Sequence, residues 1–439
     1  MASLASPSPR IPAALTVTCM DCGAVHGAEH AVSICLACGG LLDANIDLCQ
    51  RLTPADFVAE RGSIEAQSGV WRFRKLLPPI SVDRIVTRHE GNNPLFHDQR
   101  LADYAGLSGG QFAIKHEGHN PTGSFKDRGM TVAVSHANTI GARVIACAST
   151  GNTSAALGSY AASAGIPALV LIPEGKISAS KLSQTIAYGA TVVHVEGDFD
   201  VALKLLRELI GSFDVYLANS VNPFRPEGQK TIVFEILDDL EWQVPDVIAL
   251  PGGNLGNTAA FGKALSEAYQ VGLISKLPQL VTVQAAGAAP FAAYYESGFD
   301  QYEPVQAETI ATAIKIGDPA SLARARRSIE LTGGIVTSVP DDDLLDAKAL
   351  IDRIGIGCEP ASAASLAGVR KLVASGEIAP DATVVGVVTA SILKDTDAIV
   401  GYHLHDDNAG QRREFANRPI SIPATLDALK KVLDDAVHG

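Results

Sequence analysis

Short apolar runs alternate with longer alanine-rich runs along most of the chain. The short runs are rich in Val, Ile and Leu and are bounded by Gly or Pro, which is typical of strands buried in a parallel sheet. Strands are predicted at 143–148, 168–172, 191–195, 247–250, 280–284 and 383–388. Helices are predicted over runs such as 153–164, 200–210 and 256–269. This alternation predicts an α/β fold with parallel-rich sheets and helices on both faces.

Ligands of such sheets bind outside the carboxyl ends of the strands, where turns of small residues lead into helices. We therefore expect the chemistry of this protein in the turns that follow the predicted strands.

Length and charge narrow the class of protein. The chain has 439 residues, enough for two or three domains. Its formal net charge of −13 disfavours nucleic acid and anionic membranes as partners, because both need basic patches. No apolar run approaches the roughly 20 residues that span a bilayer. Residues 1–15 lack the apolar stretch of a secretory signal, so we expect a disordered tail there and a cytoplasmic protein.

Four of the seven cysteines form two Cys-x2-Cys pairs that are twelve residues apart. Such pairs supply four thiolates for tetrahedral Zn²⁺, as in a zinc ribbon over residues 16–50. The four predicted ligands are Cys19, Cys22, Cys35 and Cys38. A closed set of four leaves no open position, so the metal would be structural; a ribbon that keeps reduced thiols without metal is the alternative. Cys49, Cys147 and Cys358 are expected to be buried packing residues.

The run from His116 to Gly129 is loop-forming and contains Lys126. Ser124 is a suitable N-cap for a helix that begins at Phe125 or Lys126. The helix dipole and burial would both lower the pKa of a lysine in that position, and a neutral amine is what imine formation needs. A lone lysine at a helix start is more often solvated, so the neighbouring motifs have to decide.

Four further turns carry polar or glycine-rich sequences; they are 148–154, 218–230, 250–258 and 388–395. Hydroxyl and amide groups at a helix start suit an anionic or phenolic oxygen, and glycines let the backbone approach a phosphate. The glycine spacing matches neither the dinucleotide fingerprint nor the P-loop. Alone, each turn also fits an ordinary capped or polar loop.

Taken in order, these motifs resemble the fold-type II pyridoxal-phosphate enzymes, whose two-domain fold is tryptophan synthase β-like, and within them the threonine synthase family. The resemblance is most specific at 117–129 and recurs at 90–95, 219–225, 311–321 and 358–364, so that it covers residues 90–395. A similar amino-terminal ribbon occurs in some members of that family.

The resemblance implies a role for each matched residue. Lys126 would hold pyridoxal phosphate as a Schiff base and later move protons, Asn152 would bind the phenolic oxygen of the cofactor, and Thr389 would face its pyridine nitrogen. The cofactor phosphate would be cradled by Gly253, Asn254, Leu255, Gly256 and Asn257. The substrate would be bound by Ser149 and Thr150 near its carboxylate, by Thr153, and at its phosphate by Asn219, Ser220 and Arg225.

The family reaction is the conversion of O-phospho-L-homoserine and water to L-threonine and phosphate, by γ-elimination and β-addition. A small anionic amino-acid phosphate ester is therefore the expected substrate, and a homodimer the expected assembly. The expected division is a large domain over 51–129 and 221–439 and a small domain over 130–220, with Lys126 and Arg225 near the hinge. A polar connector is expected between the ribbon and the Pro78-Pro79 pair.

One departure and three alternatives stay open. Ala390 and Ile392 stand where the family usually has Gly-x-Gly after the Thr389 position, which narrows the space beside the pyridine edge. A cysteate synthase acting on O-phosphoserine is the nearest rival. A threonine or serine dehydratase would not need the cluster at 219–225, and an inactive zinc-ribbon scaffold would not need Lys126, Asn152 and Arg225.

Overall fold

The computed structural model describes residues 15–48, 50–174, 179–197, 199–210, 214–404 and 413–438. Cys49 and all but the last residue of the predicted tail lie outside the described residues. The strands are β1 Leu15–Cys19, β2 Val25–His26, β3 Leu42–Ile46, β4 Leu95–His97, β5 Gln111–His116, β6 Val144–Ala148, β7 Ala168–Pro173, β8 Thr191–Val195, β9 Val215–Leu217, β10 Val247–Pro251, β11 Gln279–Ala285, β12 Ile335–Val339 and β13 Thr383–Val388.

The helices are α1 Ile64–Gln67, α2 Gln99–Ala105, α3 Lys126–Ile140, α4 Asn152–Ala164, α5 Ala179–Ala187, α6 Phe199–Ile210, α7 Phe224–Gln229, α8 Thr231–Asp239, α9 Gly256–Gln270, α10 Pro290–Glu296, α11 Leu322–Thr332, α12 Asp341–Arg353, α13 Ala364–Ala374, α14 Thr396–Leu404 and α15 Leu426–His438. Short 3₁₀ turns connect several of them. No helix in the described part of the chain is long and apolar enough to cross a membrane.

The larger sheet has six strands in the order β12-β11-β10-β13-β5-β4. Its neighbours run parallel except β4, which pairs antiparallel with β5 at the edge. Alternate residues of β10 point to opposite faces: Val247 and Ala249 pack in the core with α12 and α13, whereas Ile248 and Leu250 pack with α8 and α9. Both faces are therefore covered by helices, which confirms the predicted α/β fold.

A second sheet has four parallel strands in the order β8-β7-β6-β9. All four strands lie within residues 130–220, the range expected for the small domain, although the domain boundaries stay a prediction. Two strand predictions, 191–195 and 383–388, match to the residue, and the other four differ by one or two residues at their ends. Patterns of apolar residues therefore located every one of these strands.

The expected polar connector is wrong. Trp71, Phe73 and Leu76 in this segment are fully buried, and Trp71 Nε1 donates to Thr131 Oγ1 of α3 at 2.9 Å. The segment forms short 3₁₀ turns, whose apolar residues follow neither a helical nor a strand period, so its burial left no periodic signal in the sequence.

The amino-terminal ribbon is a small antiparallel sheet in the order β2-β1-β3, with one cysteine pair beginning at the last residue of β1 and the other lying before β3. Its apolar residues Leu15, Val17 and Leu42 belong to the same hydrophobic core as α3 and the four-stranded sheet. On its other side, Lys263 of α9 donates to Ala44 O. The ribbon therefore packs against the half of the molecule with the four-stranded sheet and also contacts α9, which covers the six-stranded sheet.

Candidate active site

Lys126 is the first residue of α3 and is partly exposed. It lies where the half of the molecule with the six-stranded sheet meets the half with the four-stranded sheet, and we call this boundary the cleft. Phe125 occupies the N-cap position, so the prediction of Ser124 as the cap is wrong by one residue; Ser124 Oγ accepts from Lys126 N at 3.4 Å. Desolvation lowers the pKa of Lys126 to about 7, assisted by the positive charge of Arg225 and opposed by Glu359. A large fraction of the amine is therefore neutral near pH 7, and the neutral form is the one that a nucleophile requires.

A buried ion network fixes the loop before Lys126. Arg128, two residues further along α3, contacts Glu117 at 2.6 and 2.8 Å and Glu235 at 3.0 and 2.6 Å. Glu235 also accepts from the backbone N–H of Asn92 at 2.6 Å. The 90–95 loop, the 117–124 loop and α8 are thus tied to the helix that carries Lys126. None of these charged residues has a role predicted from the sequence.

The turn after β6 presents Ser149, Thr150 and Thr153 at the start of α4, all partly exposed. Asn152 begins that helix, and its Nδ2 donates to Glu359 Oε2 at 3.1 Å. Glu359 belongs to the other sheet's half of the molecule, so this contact crosses the cleft.

Glu359 is the residue that the sequence analysis missed. Thr389 Oγ1 donates to Glu359 Oε1 at 3.2 Å, and Ser362 Oγ lies 2.9 Å from Thr389 Oγ1. Ser362 Oγ accepts from Thr389 N at 2.9 Å, so its own proton is free to point at the threonine hydroxyl. Burial raises the pKa of Glu359, while Asn152, Lys126 and Thr389 oppose that rise. The 358–364 motif contains Glu359, but a carboxylate among small residues gives no local sign of its partners.

The turn between β10 and α9 has no room for side chains at its glycines. A Cβ on Gly252 would lie 2.6 Å from Thr282 Cγ2, and one on Gly253 would lie 3.1 Å from Ile314 Cα. Leu255, the residue before α9, has a φ of 61°, a left-handed conformation that reverses the chain direction between the glycines and the helix. The first N–H groups of a helix have no partner within it, so this turn can cradle an anion.

Two side chains beside this turn have unused hydrogen-bonding capacity. Among the described residues, Asn257 Oδ1 and Gln229 Oε1 are buried without a hydrogen-bond partner. These oxygens only accept, so a phosphate in this turn would be bound by N–H groups and not by these atoms. Asn254 differs, because its Oδ1 accepts from Ala320 N at 3.2 Å and its carbonyl accepts from Ser321 N at 3.2 Å. Asn254 therefore fastens the 311–321 loop beside the turn.

Arg225 is buried and, in the part of the chain that the structure describes, forms no ion pair. Its Nη1 donates to Ala218 O at 3.3 Å, and its Nε has no partner. Burial lowers the pKa of Arg225 to about 10. A buried guanidinium without a carboxylate is costly unless an anion binds there.

Asn219 and Ser220, which are predicted to bind the substrate phosphate with Arg225, are not buried groups with unused donors as Arg225 is. The side-chain amide of Asn219 is engaged on both sides by Ala148, with Oδ1 accepting from its N–H at 3.0 Å and Nδ2 donating to its carbonyl at 2.9 Å. Asn219 thus ties the end of β9 to β6. Ser220 is partly exposed.

Residues around Thr389 close the site. Phe125 N donates to Thr389 O at 2.9 Å, and Ser124 forms an isolated β-bridge with Ala390, which is fully buried. Ile392 fills space against Gly357, where an added Cβ would lie 3.2 Å from Ile392 Cβ. Lys394 Nζ donates to Gln184 Oε1 of α5, a second contact between the two halves.

The four ribbon cysteines fit a tetrahedral metal site. Their sulfurs all lie within 4.8 Å of one another, with 3.5 Å between Cys19 and Cys38 and 3.6 Å between Cys22 and Cys35. Zn–S bonds of about 2.3 Å in a tetrahedron place sulfurs about 3.8 Å apart. The backbone N–H groups of Asp21 and Ala37 point at the first sulfur of each pair at 3.4 Å. Cys147 and Cys358 are buried, as expected.

Comparison with known proteins agrees with this geometry. A family model described as pyridoxal-phosphate dependent enzyme matches residues 86–390. The threonine synthase of Methanosarcina acetivorans is 43% identical over 418 residues, which are 94% of this chain and 98% of the relative. The threonine synthase of Methanocaldococcus jannaschii is 41% identical over 95% of this chain and 99% of the relative. The threonine synthase of Mycobacterium bovis is 48% identical over 74% of this chain and 88% of the relative.

Solved structures show the same fold at lower identity. O-ureido-L-serine synthase superposes with a TM-score of 0.60 at 20% identity, covering 75% of this chain and 98% of that one. The processed form of threonine deaminase isoform 2 from Solanum lycopersicum superposes with a TM-score of 0.59 at 18% identity, covering 75% and 90%. At these identities, the likeness concerns the fold alone.

Proposed function

The chain belongs to the pyridoxal-phosphate dependent enzymes and, within them, to the threonine synthases, and we propose that it converts O-phospho-L-homoserine and water to L-threonine and phosphate. The observation that carries this substrate is Arg225, a buried cation that forms no ion pair among the described residues and whose positive charge helps to lower the pKa of Lys126. The expected fold-type II architecture and lyase class follow from the family.

The residues of the cleft fit pyridoxal phosphate at its three polar edges. The glycine-lined turn from Gly253 to Asn257 suits the phosphate, because it leads into the N-terminus of α9, where the first N–H groups have no partner within the helix. Asn152 and Thr389 lie on opposite sides of the cleft, and Glu359 connects them. When bound, this cofactor supplies an electron sink for carbanion chemistry at the amino acid.

Lys126 is the group that binds the cofactor aldehyde and then moves protons. With a pKa of about 7, roughly half of this amine is neutral at pH 7, and that half can attack a carbonyl without first losing a proton. Once released, the same amine would take a proton from Cα of the substrate, pass that proton to the bound cofactor, and only then, neutral again, take one from Cβ. The neighbouring cation keeps this amine a weak base, which makes each proton easy to pass on.

Arg225 would bind the substrate phosphate and stabilise it as it leaves. A guanidinium in a buried site binds a phosphate oxygen pair with two parallel hydrogen bonds, and its unused Nε is available for one of them. Ser149, Thr150, Thr153 and Ser220 are partly exposed in the cleft and are proposed to complete the substrate contacts. For Asn219 we propose a positioning role at the phosphate, because its amide already holds Ala148.

Phosphate release from O-phospho-L-homoserine, compared with release from O-phospho-L-serine, tests the substrate. We expect kcat/KM to favour the homoserine ester and the organic product to be threonine. Preferential release from O-phosphoserine would support the cysteate synthase alternative instead. Deamination of threonine or serine at a higher kcat/KM than either phosphate ester would support a dehydratase.

Several finer expectations are part of this proposal. We propose that the four ribbon cysteines hold a structural Zn²⁺, since their sulfur separations suit one and a closed set of four leaves no site for a substrate. Homodimeric assembly stays a prediction of the family resemblance, and a cytoplasmic location and the domain division at residues 130 and 220 stay predictions from the sequence.

A further inference from the structure

The ribbon reaches towards the phosphate site through the segment between its two cysteine pairs. Ala28 O accepts from His136 Nε2 at 2.6 Å, and Ser33 Oγ donates to Leu217 O at 3.4 Å. His136 lies in the helix that Lys126 begins, and Leu217 ends the strand that leads to Asn219. Apart from the two residues of β2, this segment is irregular, so its order depends on how its two ends are held.

His136 has one defined protonation state. It is fully buried, and burial lowers its pKa to about 4, so that it is neutral at physiological pH. A carbonyl only accepts, so Nε2 carries the hydrogen towards Ala28. Nδ1 therefore accepts, and the Tyr216 hydroxyl lies 3.0 Å away to donate. The ring orientation is thus set by the ribbon on one side and by β9 on the other.

The ring of His136 packs directly on the residue before Arg225. Its centroid lies 3.6 Å from that of Phe224, with an interplanar angle of 15°. Phe224 begins α7, whose other end packs closely on α3, because a Cβ on Gly228 would lie 1.7 Å from Arg128 O. The two helices therefore touch backbone to backbone at one end and through the His136–Phe224 stack at the other.

Arg225 depends on this packing more than an ion-paired arginine would. Its only hydrogen bond in the described structure is to the carbonyl of Ala218, and no carboxylate holds its guanidinium. Its direction is consequently set by the backbone of α7 and by Phe224. Small changes in the stack would move the group that meets the substrate phosphate.

We propose that His136 is a positioning residue that links metal binding in the ribbon to the geometry of Arg225. Four thiolates closing on Zn²⁺ hold both ends of the 23–34 segment, the Ala28 carbonyl orients the His136 ring, and the ring sets Phe224 and Arg225. The inference rests on the proposed function, because it takes Arg225 as the phosphate ligand. It assigns the ribbon a role in substrate affinity in addition to stability.

Inorganic phosphate binding to the cofactor-loaded enzyme, measured by calorimetry, tests the link without relying on turnover. Removing Zn²⁺ with a chelator should raise the phosphate Kd about three- to tenfold, the effect of one lost hydrogen bond. His136→Phe keeps a ring on Phe224 but loses both hydrogen bonds, and it should raise the Kd by a similar factor. Chelation of this variant should then add less than twofold, because the route is already broken.

Matched variants separate positioning from general loss of stability. Asn138→Ala removes a hydrogen bond of 3.0 Å from the same helix to Arg84 O, away from the ribbon, and should lower the melting temperature with the phosphate Kd unchanged within twofold. His136→Gln restores a donor towards Ala28 and should recover the sensitivity of the Kd to chelation. KM for the phosphate ester should follow the phosphate Kd in each case, with kcat less affected.

The outcomes decide between the link and the phosphate site itself. If chelation changes the phosphate Kd of the wild type by less than twofold while the cofactor absorbance is retained, the link is overturned. It is also overturned if the effects of chelation and of His136→Phe on the phosphate Kd multiply. If His136→Phe does not fold, chelation and zinc restoration in the wild type decide alone. Arg225→Met should abolish phosphate binding; if it does not, the phosphate assignment fails, whatever the zinc dependence shows.

Discussion

Two buried arginines, Arg128 and Arg225, stand on helices that pack against each other, yet their surroundings differ completely. Arg128 is held by Glu117 and Glu235 through four charge-assisted hydrogen bonds between 2.6 and 3.0 Å. Within the residues that the structure describes, Arg225 has a single hydrogen bond, to a carbonyl, and no carboxylate partner. The first charge is satisfied by the fold and belongs to its stability. In the proposed function, the Arg225 charge is available to an anionic ligand, and leaving it without a carboxylate lowers the free energy of unfolding of the ligand-free protein.

The same contrast appears in their pKa values. The carboxylates raise the pKa of Arg128, whereas burial without a partner lowers that of Arg225 to about 10. Lys126 lies within the field of Arg225, whose charge depresses the pKa of the amine. Arg225 therefore has two roles in the proposed function: it would bind an anionic ligand, and its charge adds to burial in lowering the pKa of the Lys126 amine.

The largest effect is expected when the satisfied arginine is removed. Arg128→Met leaves Glu117 and Glu235 buried without a counter-charge, and it should lower the free energy of unfolding by about 3–5 kcal/mol. Urea denaturation followed by circular dichroism measures the change. A loss below about 1 kcal/mol would mean that the network relaxes or takes up water, and the contrast with Arg225 would disappear.

Arg225→Met should separate stability from catalysis. We expect kcat/KM for phosphate release to fall about 100- to 1000-fold, as when a transition-state donor is lost. The free energy of unfolding should stay the same or rise, because an uncompensated buried charge is removed. Arg225→Lys is the matched control and should retain part of the activity. A variant as destabilised as Arg128→Met, with unchanged kcat/KM, would contradict the account.

The charges around Lys126 should shift its titration in opposite directions. In the cofactor-free enzyme, acylation of Lys126 should be half-maximal near pH 7, because only the neutral amine reacts. Arg225→Met removes a cation and should raise that midpoint, whereas Glu359→Gln removes an anion and should lower it. Mass-spectrometric labelling rates across pH give the midpoints. Equal midpoints in the three proteins would show that burial alone sets the pKa.

The smallest effect is expected at Lys394, a cation whose hydrogen-bond partner is a neutral amide and whose carboxylate neighbours act only through their charge. Its Nζ donates to Gln184 across the cleft, and burial lowers its pKa while Asp127 and Glu359 oppose that shift. Lys394→Met should raise KM about two- to fivefold, the effect of losing one hydrogen bond. Gln184→Ala is the matched change on the other side. If the KM of the double variant rises by less than the product of the two single increases, the two residues act as a pair. If the two increases multiply, they act independently.

Local rules of sequence explain which parts of this molecule could be predicted. The strands, the helix that begins with Lys126 and the glycine turn before α9 all have signals within a few residues, namely apolar runs, helix-start residues and paired glycines. Arg225 lies in a turn with several polar residues, which drew attention to it, but its predicted role came from the family resemblance, because the turn alone also fits an ordinary polar loop.

The remaining features depend on residues that are far apart in the chain. Asn152 and Glu359 meet over 207 positions, and Arg128 and Glu235 over 107. Neither contact has a local pattern, so the carboxylate that joins the two sides of the cofactor site was missed. Trp71 was placed in a polar connector for the same reason, since the partner of its indole lies in α3.

Borohydride reduction of the cofactor-loaded enzyme, followed by peptide mapping, tests the central assignment most directly. The account predicts a pyridoxyl group on the peptide that contains Lys126, in near-stoichiometric yield and with loss of the visible absorbance. A label on another lysine, or a purified protein that stays colourless with added pyridoxal phosphate, would contradict it.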